Sequence, residues 1–208
     1  LYTSQDEDTI VYEIPENELS RSAFEVTSDE NFLILYTFSK IDDRWKKSVI
    51  YKDLSCESDF ETLLAYGNNS SDYTMIDHIG DKFYFMTNFE ANNNKVISVD
   101  AKTKEIQDVI SETDAVLDQV NIIANKIITV NYKDGRFKLI IYDIEGNQEY
   151  AKQFKTGYHV NGFAGNNNDT ETIYFVNSFY FPSAVFKLNL LNNSITQMSE
   201  LKISYDDK

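Results

Sequence analysis

Apolar residues along this chain recur in short runs at alternating positions, and nearly every run is built from Val, Ile, Tyr, Phe and Thr. β-Branched and aromatic side chains suit a pleated, half-buried surface, so the pattern predicts strands throughout. Turns fall to Asn, Asp and Ser, which tolerate tight backbone angles, in a chain with 7 glycines and 2 prolines. No segment carries a convincing helix signal. "SETDAVLDQV" has the spacing of a helical turn, but its flanks read as strand.

The runs repeat. "SVIYKDL", "KVISVDA", "KLIIYDI" and "AVFKLNL" each reach an Asp or Asn before a polar turn, at Asp53, Asp100, Asp143 and Asn189, with successive spacings of 47, 43 and 46 residues. Before each lies another strand ("NFLILYTF", "KFYFMTN", "KIITVNY", "TIYFVNS"), and after each a shorter amphipathic run ("ETLLAY", "EIQDVI", "EYAKQF", "ITQMS"). A fourth segment opens every unit ("AFEVTS", "YTMIDHIG", "DQVNIIA", "YHVNGFA"). Four strands per unit at a period in the mid-forties mark a β-propeller blade. The expected fold is all-β: a β-propeller of about four four-stranded blades at 22–66, 73–110, 117–154 and 158–201, with residues 8–16 as the outer strand of a preceding blade. A sandwich or an irregular all-β fold is the competing reading. Blades bury their faces only against neighbours, so four blades and a fraction read as an arc of a larger ring. Such an arc leaves apolar end faces, which predicts self-association of the chain through Ile10, Val11 and the first blade at one end and "FYFPSAVF" at the other.

The formal charge of -15 argues against binding nucleic acid or an anionic membrane through a basic face. Cys56 is the only cysteine, so no internal disulfide forms, and a reducing, cytoplasmic setting is expected, with the periplasm or secretion as the alternative. No run approaches the roughly 18 apolar residues of a membrane helix.

Catalytic chemistry is not expected of this chain. A serine peptidase needs a nucleophile on a strained turn, a histidine base and an orienting carboxylate. No Gly-x-Ser-x-Gly occurs, and the two histidines, His78 and His159, sit inside repeat strands where each is expected to fill a blade or tunnel surface. Cys56 lies in a turn beside acids, an environment that disfavours a thiolate. No Cys or His cluster has zinc spacing, and the acidic turns "SQDED", "NNNDT" and "YDDK" lack the calcium-loop pattern, so no metal and no cofactor are expected. Asn68, Asn69, Asn168 and Asn192 begin Asn-x-Ser/Thr triplets expected by chance in an Asn-rich chain, and Arg44-Trp45-Lys46-Lys47 reads as a small basic hairpin surface.

Three segments resemble the prolyl oligopeptidases, serine peptidases of the α/β-hydrolase type. "TSQDEDTIVYE" resembles a turn and strand of the family at Thr3, Gln5, Asp8, Tyr12 and Glu13. "FYFMTNFEANNNKVISVD" is similar at Thr87, Asn88, Ala91 and Lys95, and "DTETIYFVNSFYFPSAVFKLNL" at Asp169, Thr170, Tyr174, Ser178, Phe179 and Pro182. The Ser-Phe-x-x-Pro form is more like the prolyl-specific branch than the enzymes that cleave after basic residues.

In that family a seven-bladed propeller caps a separate hydrolase domain. The resemblance implies that this chain holds the end of the third blade and blades four to seven. It also implies that "LKISYDDK" is the linker back to a hydrolase domain absent from the chain. The implied function is the propeller portion of a serine endopeptidase, a lid and size filter for hydrolysis of short peptides after proline. Its implied partners are peptide substrates and the hydrolase domain, and this chain alone is expected to be inactive. A stand-alone β-propeller interaction module with no peptidase role is the alternative. Two positions depart from the family: many members carry Arg where this chain has Phe89, near the inner face that looks toward substrate, and Pro where it has Asn92. Phe89 is thus the one candidate substrate-facing residue, without the polar contact an Arg would bring.

Overall fold

The computed structural model describes residues 4, 8–13, 20–41, 43–65, 71–179 and 183–200. Thr3, Gln5, Asn68, Asn69, Pro182 and the "LKISYDDK" segment lie outside these. The described residues form sixteen strands and no helix, in two compact units, Leu1–Ser71 and Asp72–Lys208.

The first unit holds one antiparallel sheet of β1 (Ser20–Val26), β2 (Phe32–Ile41), β3 (Arg44–Asp53) and β4 (Glu61–Leu64), hydrogen-bonded in chain order. The second holds three more sheets with the same order. They are β5 (Tyr73–Ile79), β6 (Lys82–Thr87), β7 (Lys95–Asp100) and β8 (Ile106–Ile110); then β9 (Val116–Ile123), β10 (Lys126–Lys133), β11 (Arg136–Tyr142) and β12 (Gln148–Gln153); and last β13 (His159–Ala164), β14 (Glu171–Asn177), β15 (Ala184–Asn189) and β16 (Ile195–Glu200).

The repeated Asp or Asn explains why each third strand stops where it does. Asp53 Oδ1 accepts from the Ser55 N–H at 2.8 Å, Asp100 Oδ1 from Lys102 and Thr103, Asp143 Oδ1 from Glu145 and Asn147, and Asn189 Oδ1 from Leu191 and Asn192. A short side chain that satisfies the next backbone donors ends the strand and starts the turn. Each sheet also shifts register between its third and fourth strands, at Val49/Ile50, Val96/Ile97, Ile141/Tyr142 and Val185/Phe186. Such irregularities increase twist, and twisted blades can pack face to face.

In the second unit, first strands of consecutive sheets are neighbours, β5 beside β9 and β9 beside β13. The middle sheet is buried on both faces: Ile127 joins a core with Tyr84, Val96, Ile110, Leu117 and Ile122, while Ile128, Val130, Leu139 and Ile141 join one with Val160, Phe163, Tyr174, Val176 and Leu188. Two buried faces explain why "KIITV" and "KLIIY" read as nearly continuous apolar runs rather than as clean alternation. On β14 the alternate residues Ile173 and Phe175, each 40% exposed, point away from that core.

Residues 8–13 are not a strand. Among the described residues no neighbouring strand pairs with them, and an isolated extended segment has no ladder to hold it. Tyr12 instead sets its ring edge-on to Phe60 at 5.2 Å, leaving Ile10 and Val11 76% and 59% exposed.

Candidate functional site

Equivalent loops of the second unit emerge together, and hydrogen bonds knit them. Leu117 N–H donates to Asn93 O at 2.8 Å, and Asn94 Nδ2 donates to Leu117 O at 3.0 Å, fastening the β6–β7 loop to the start of β9. Asn93 N–H donates to Glu112 Oε1 at 2.7 Å and its Nδ2 to Thr113 O, fixing the β8–β9 loop. Lys133, at the end of β10, pairs with Asp114 of that same loop. Gly157 N–H donates to Gly135 O at 3.2 Å, tying the β12–β13 loop to the β10–β11 turn.

Aromatic side chains gather at this end. Tyr132 and Phe137 meet at 4.8 Å between ring centroids, and Phe137 meets His159 of the next sheet edge-on at 4.9 Å. His159 Nδ1 is 3.0 Å from Asn161 Nδ2. Phe179 in the β14–β15 loop is fully exposed. Phe89, in the β6–β7 loop, is half-buried: its N–H donates to Thr87 Oγ1 at 3.0 Å, and the Lys95 ammonium lies 5.8 Å from its ring centroid. Lys95 is itself paired with Asp108 at 2.9 Å, so the ring borders a neutralised cation.

A cavity of about 700 Å3 opens at the same end, between the sheets of β5–β8 and β9–β12. Its apolar part is Ile110, Leu117, Ile140 and Tyr142; its polar part is Asn94, Asn131, Gln148 and Gln153 with Lys133, Arg136, Lys138, Asp114 and Asp134. Burial raises the Tyr142 hydroxyl pKa above the ordinary tyrosine value, and the Asp114 carboxyl pKa is lowered by its hydrogen bond with Lys133. The cavity escaped the sequence reading, although half of it had a signal. Asp134-Gly135, with φ of 50° and 74°, is the dipeptide that closes a two-residue hairpin, and it places Lys133 opposite Arg136.

The other candidates fall apart from one another. His78 is buried on β5, stacked on Phe83 at 5.6 Å with Nδ1 3.0 Å from Gly80 O, whereas His159 is exposed on β13. Cys56 is exposed in the β3–β4 turn. In the "NNNDT" turn, Asp169 Oδ2 accepts the Asn166 N–H at 2.9 Å, local turn chemistry. The basic hairpin lies on its own sheet: Arg21 stacks over Trp45 at 5.6 Å and Lys47 over Tyr36 at 4.2 Å.

Comparison with known proteins accounts for the repeats. The family model described as the prolyl oligopeptidase N-terminal beta-propeller domain matches residues 1–200. Prolyl oligopeptidase A of Galerina marginata is 29% identical over 170 residues, which is 78% of this chain and 23% of that protein. Prolyl oligopeptidase ophP of Omphalotus olearius is 26% identical over 191 residues, 88% of this chain and 25% of that protein. A solved prolyl endopeptidase, 19% identical, superposes on 99% of this chain and 30% of its own with a TM-score of 0.84. Prolyl oligopeptidase B of Galerina marginata, solved with a 25mer macrocyclization substrate and 22% identical, covers all of this chain and 30% of its own with a TM-score of 0.78. The chain thus spans about a quarter of the length of the curated relatives it matches. Its four phased sheets are blades of a β-propeller, and the chain belongs to the prolyl oligopeptidase family as part of the N-terminal propeller domain.

Proposed function

We propose that this chain is the propeller portion of a prolyl oligopeptidase-like serine peptidase and works as a lid and size filter for hydrolysis of short peptides after proline. The observation that supports this is the match of residues 1–200 to that family's propeller domain. The physical sense lies in rigidity. Blades welded by cores such as that of Phe163, Tyr174 and Val176 cannot spread to admit a folded domain, while a flexible peptide threads a narrow opening. Phe89 is the residue assigned to face the substrate, as an apolar contact. With no Gly-x-Ser-x-Gly in the sequence, this segment contributes shape, and bond cleavage belongs to a hydrolase domain elsewhere in the polypeptide.

A chromogenic glycyl-proline substrate tests the reading. The full-length polypeptide that contains these blades should hydrolyse it and lose that activity to a serine-directed inhibitor, while the isolated chain should not exceed buffer background. Inhibitor-sensitive hydrolysis by the isolated chain, or none by the full-length polypeptide, would overturn it.

A further inference from the structure

The cavity between the sheets of β5–β8 and β9–β12 gathers cations in a protein whose formal charge is -15. Lys133 on β10 lies directly across from Arg136 on β11, and Lys138 is the next residue on that face, across from Asn131. Like charges directly opposite on a sheet repel. Asp114 relieves Lys133 alone. Arg136 uses Nε on the Thr156 hydroxyl at 3.0 Å, and among the described residues no carboxylate pairs with Arg136 or with the half-buried Lys138. Two cations thus face a cavity in which Ile140 follows them on the same face of β11. Ile110 and Leu117 add further apolar, buried surface, and Asp114 and Asp134 stand at the Lys133 end. Its volume of about 700 Å3 is that of a small-molecule site, for which the usual range is roughly 300–1,000 Å3.

We infer that this cavity is a binding site for a small amphiphilic carboxylate. The carboxylate is held by Arg136 and Lys138, and the apolar part lies against Ile110, Leu117 and Ile140. A guanidinium beside an ammonium suits a carboxylate, because charge-assisted hydrogen bonds are the strong ones and each cation loses its like-charged neighbour's repulsion when an anion enters. A net charge of -15 disfavours such a molecule over most of the surface, so the unpaired cations of this cavity stand out against the rest of the second unit. A peptide's free C-terminus and a simple aryl-alkyl acid share this chemistry. The site does not depend on the peptidase reading, since it is built wholly from this chain.

Calorimetric titration of the 208-residue chain tests it, at low and at physiological salt, with acetyl-alanyl-phenylalanine, with its C-terminal amide, and with 3-phenylpropionate. At least one acid should bind, weakening as salt rises, and the amide should bind roughly tenfold or more weaker than the dipeptide acid. Binding of the dipeptide acid alone identifies a peptide terminus as the ligand; binding of phenylpropionate alone identifies a simple acid. Arg136→Gln and Lys138→Gln should each weaken the acids by a similar factor at unchanged melting temperature. If either variant fails to fold, the comparison of acid with amide on the unaltered chain still decides. Equal binding of acid and amide, no saturable binding of either acid at millimolar concentration, or full affinity in both folded variants would overturn the assignment.

Discussion

Two gaps between neighbouring blades of the second unit are filled in opposite ways. Between β9–β12 and β13–β16, Tyr174 stacks on Phe163 at 5.3 Å and on Phe186 at 5.5 Å and meets Phe154 edge-on at 6.4 Å. Between β5–β8 and β9–β12, a smaller core around Tyr84, Val96, Leu117 and Ile127 gives way to the polar cavity. Strand order and neighbouring first strands are the same on both sides. What differs is the side chains of the shared middle sheet: one face offers Leu139 and Ile141, the other Arg136, Lys138 and Ile140. Repetition thus sets the wedge, and the residues on each face decide whether it becomes cement or site.

That contrast can be broken most severely at Tyr174. Tyr174→Ala removes the centre of a fully buried stack and should cost about 3–5 kcal/mol, the usual range for deleting a buried aromatic, read by denaturant unfolding. On the other side, backbone proximity is the sensitive point. Gly146, at φ 89°, lies so close to β8 that an added Cβ would sit 2.0 Å from Val109 O. Gly146→Ala should therefore cost roughly 2–4 kcal/mol through strain and displacement of the blades. Leu117→Ala should be milder, about 2 kcal/mol, because Leu117 already lines a cavity and little beyond the transfer of about three methylene equivalents is lost. A Leu117→Ala cost equal to that of Tyr174→Ala would erase the distinction between the two gaps.

A change of sign is expected next. The Tyr174 hydroxyl is buried with no hydrogen-bond partner among the described residues, and burial pushes its pKa far above the ordinary tyrosine value. Tyr174→Phe should therefore raise stability by about 1 kcal/mol, and a loss instead would point to a missing partner. The gentlest effect is on acid tolerance. Hydrogen bonds lower the folded-state carboxyl pKa of Asp53, chiefly from Ser55, of Asp100, chiefly from Thr103, and of Asp143, chiefly from Asn147. A depressed folded-state value stabilises the protein above the unfolded pKa near about 4, and the contribution fades as pH falls through the folded value. Melting temperatures should accordingly drop below about pH 4. Asp100→Asn, which keeps an acceptor but not the charge, should flatten that drop slightly.

Much of this was legible because local chemistry and repeat agreed. Asp53, Asp100, Asp143 and Asn189 mark the third turn of each blade by position in the sequence and by hydrogen bonding in the structure. Four strands lie between Tyr73 and Ile110 and four between Val116 and Gln153, each group opened and closed by polar turns that the sequence spells out. Residues 8–13 form no strand although "TIVYE" has strand propensity, because propensity cannot supply a pairing partner. The cavity stayed hidden because it joins residues 110–117 to residues 131–153, from two blades. Only the hairpin half, Lys133 opposite Arg136, is written in one stretch of chain.

The most direct test of the propeller as a filter uses the full-length polypeptide that contains these blades and one proline-containing sequence presented in two ways. As a short free peptide it should be cut after proline; as a loop within a stably folded domain it should remain intact under the same conditions. Cleavage of both at the same rate would contradict the filtering role, whatever the specificity of the enzyme.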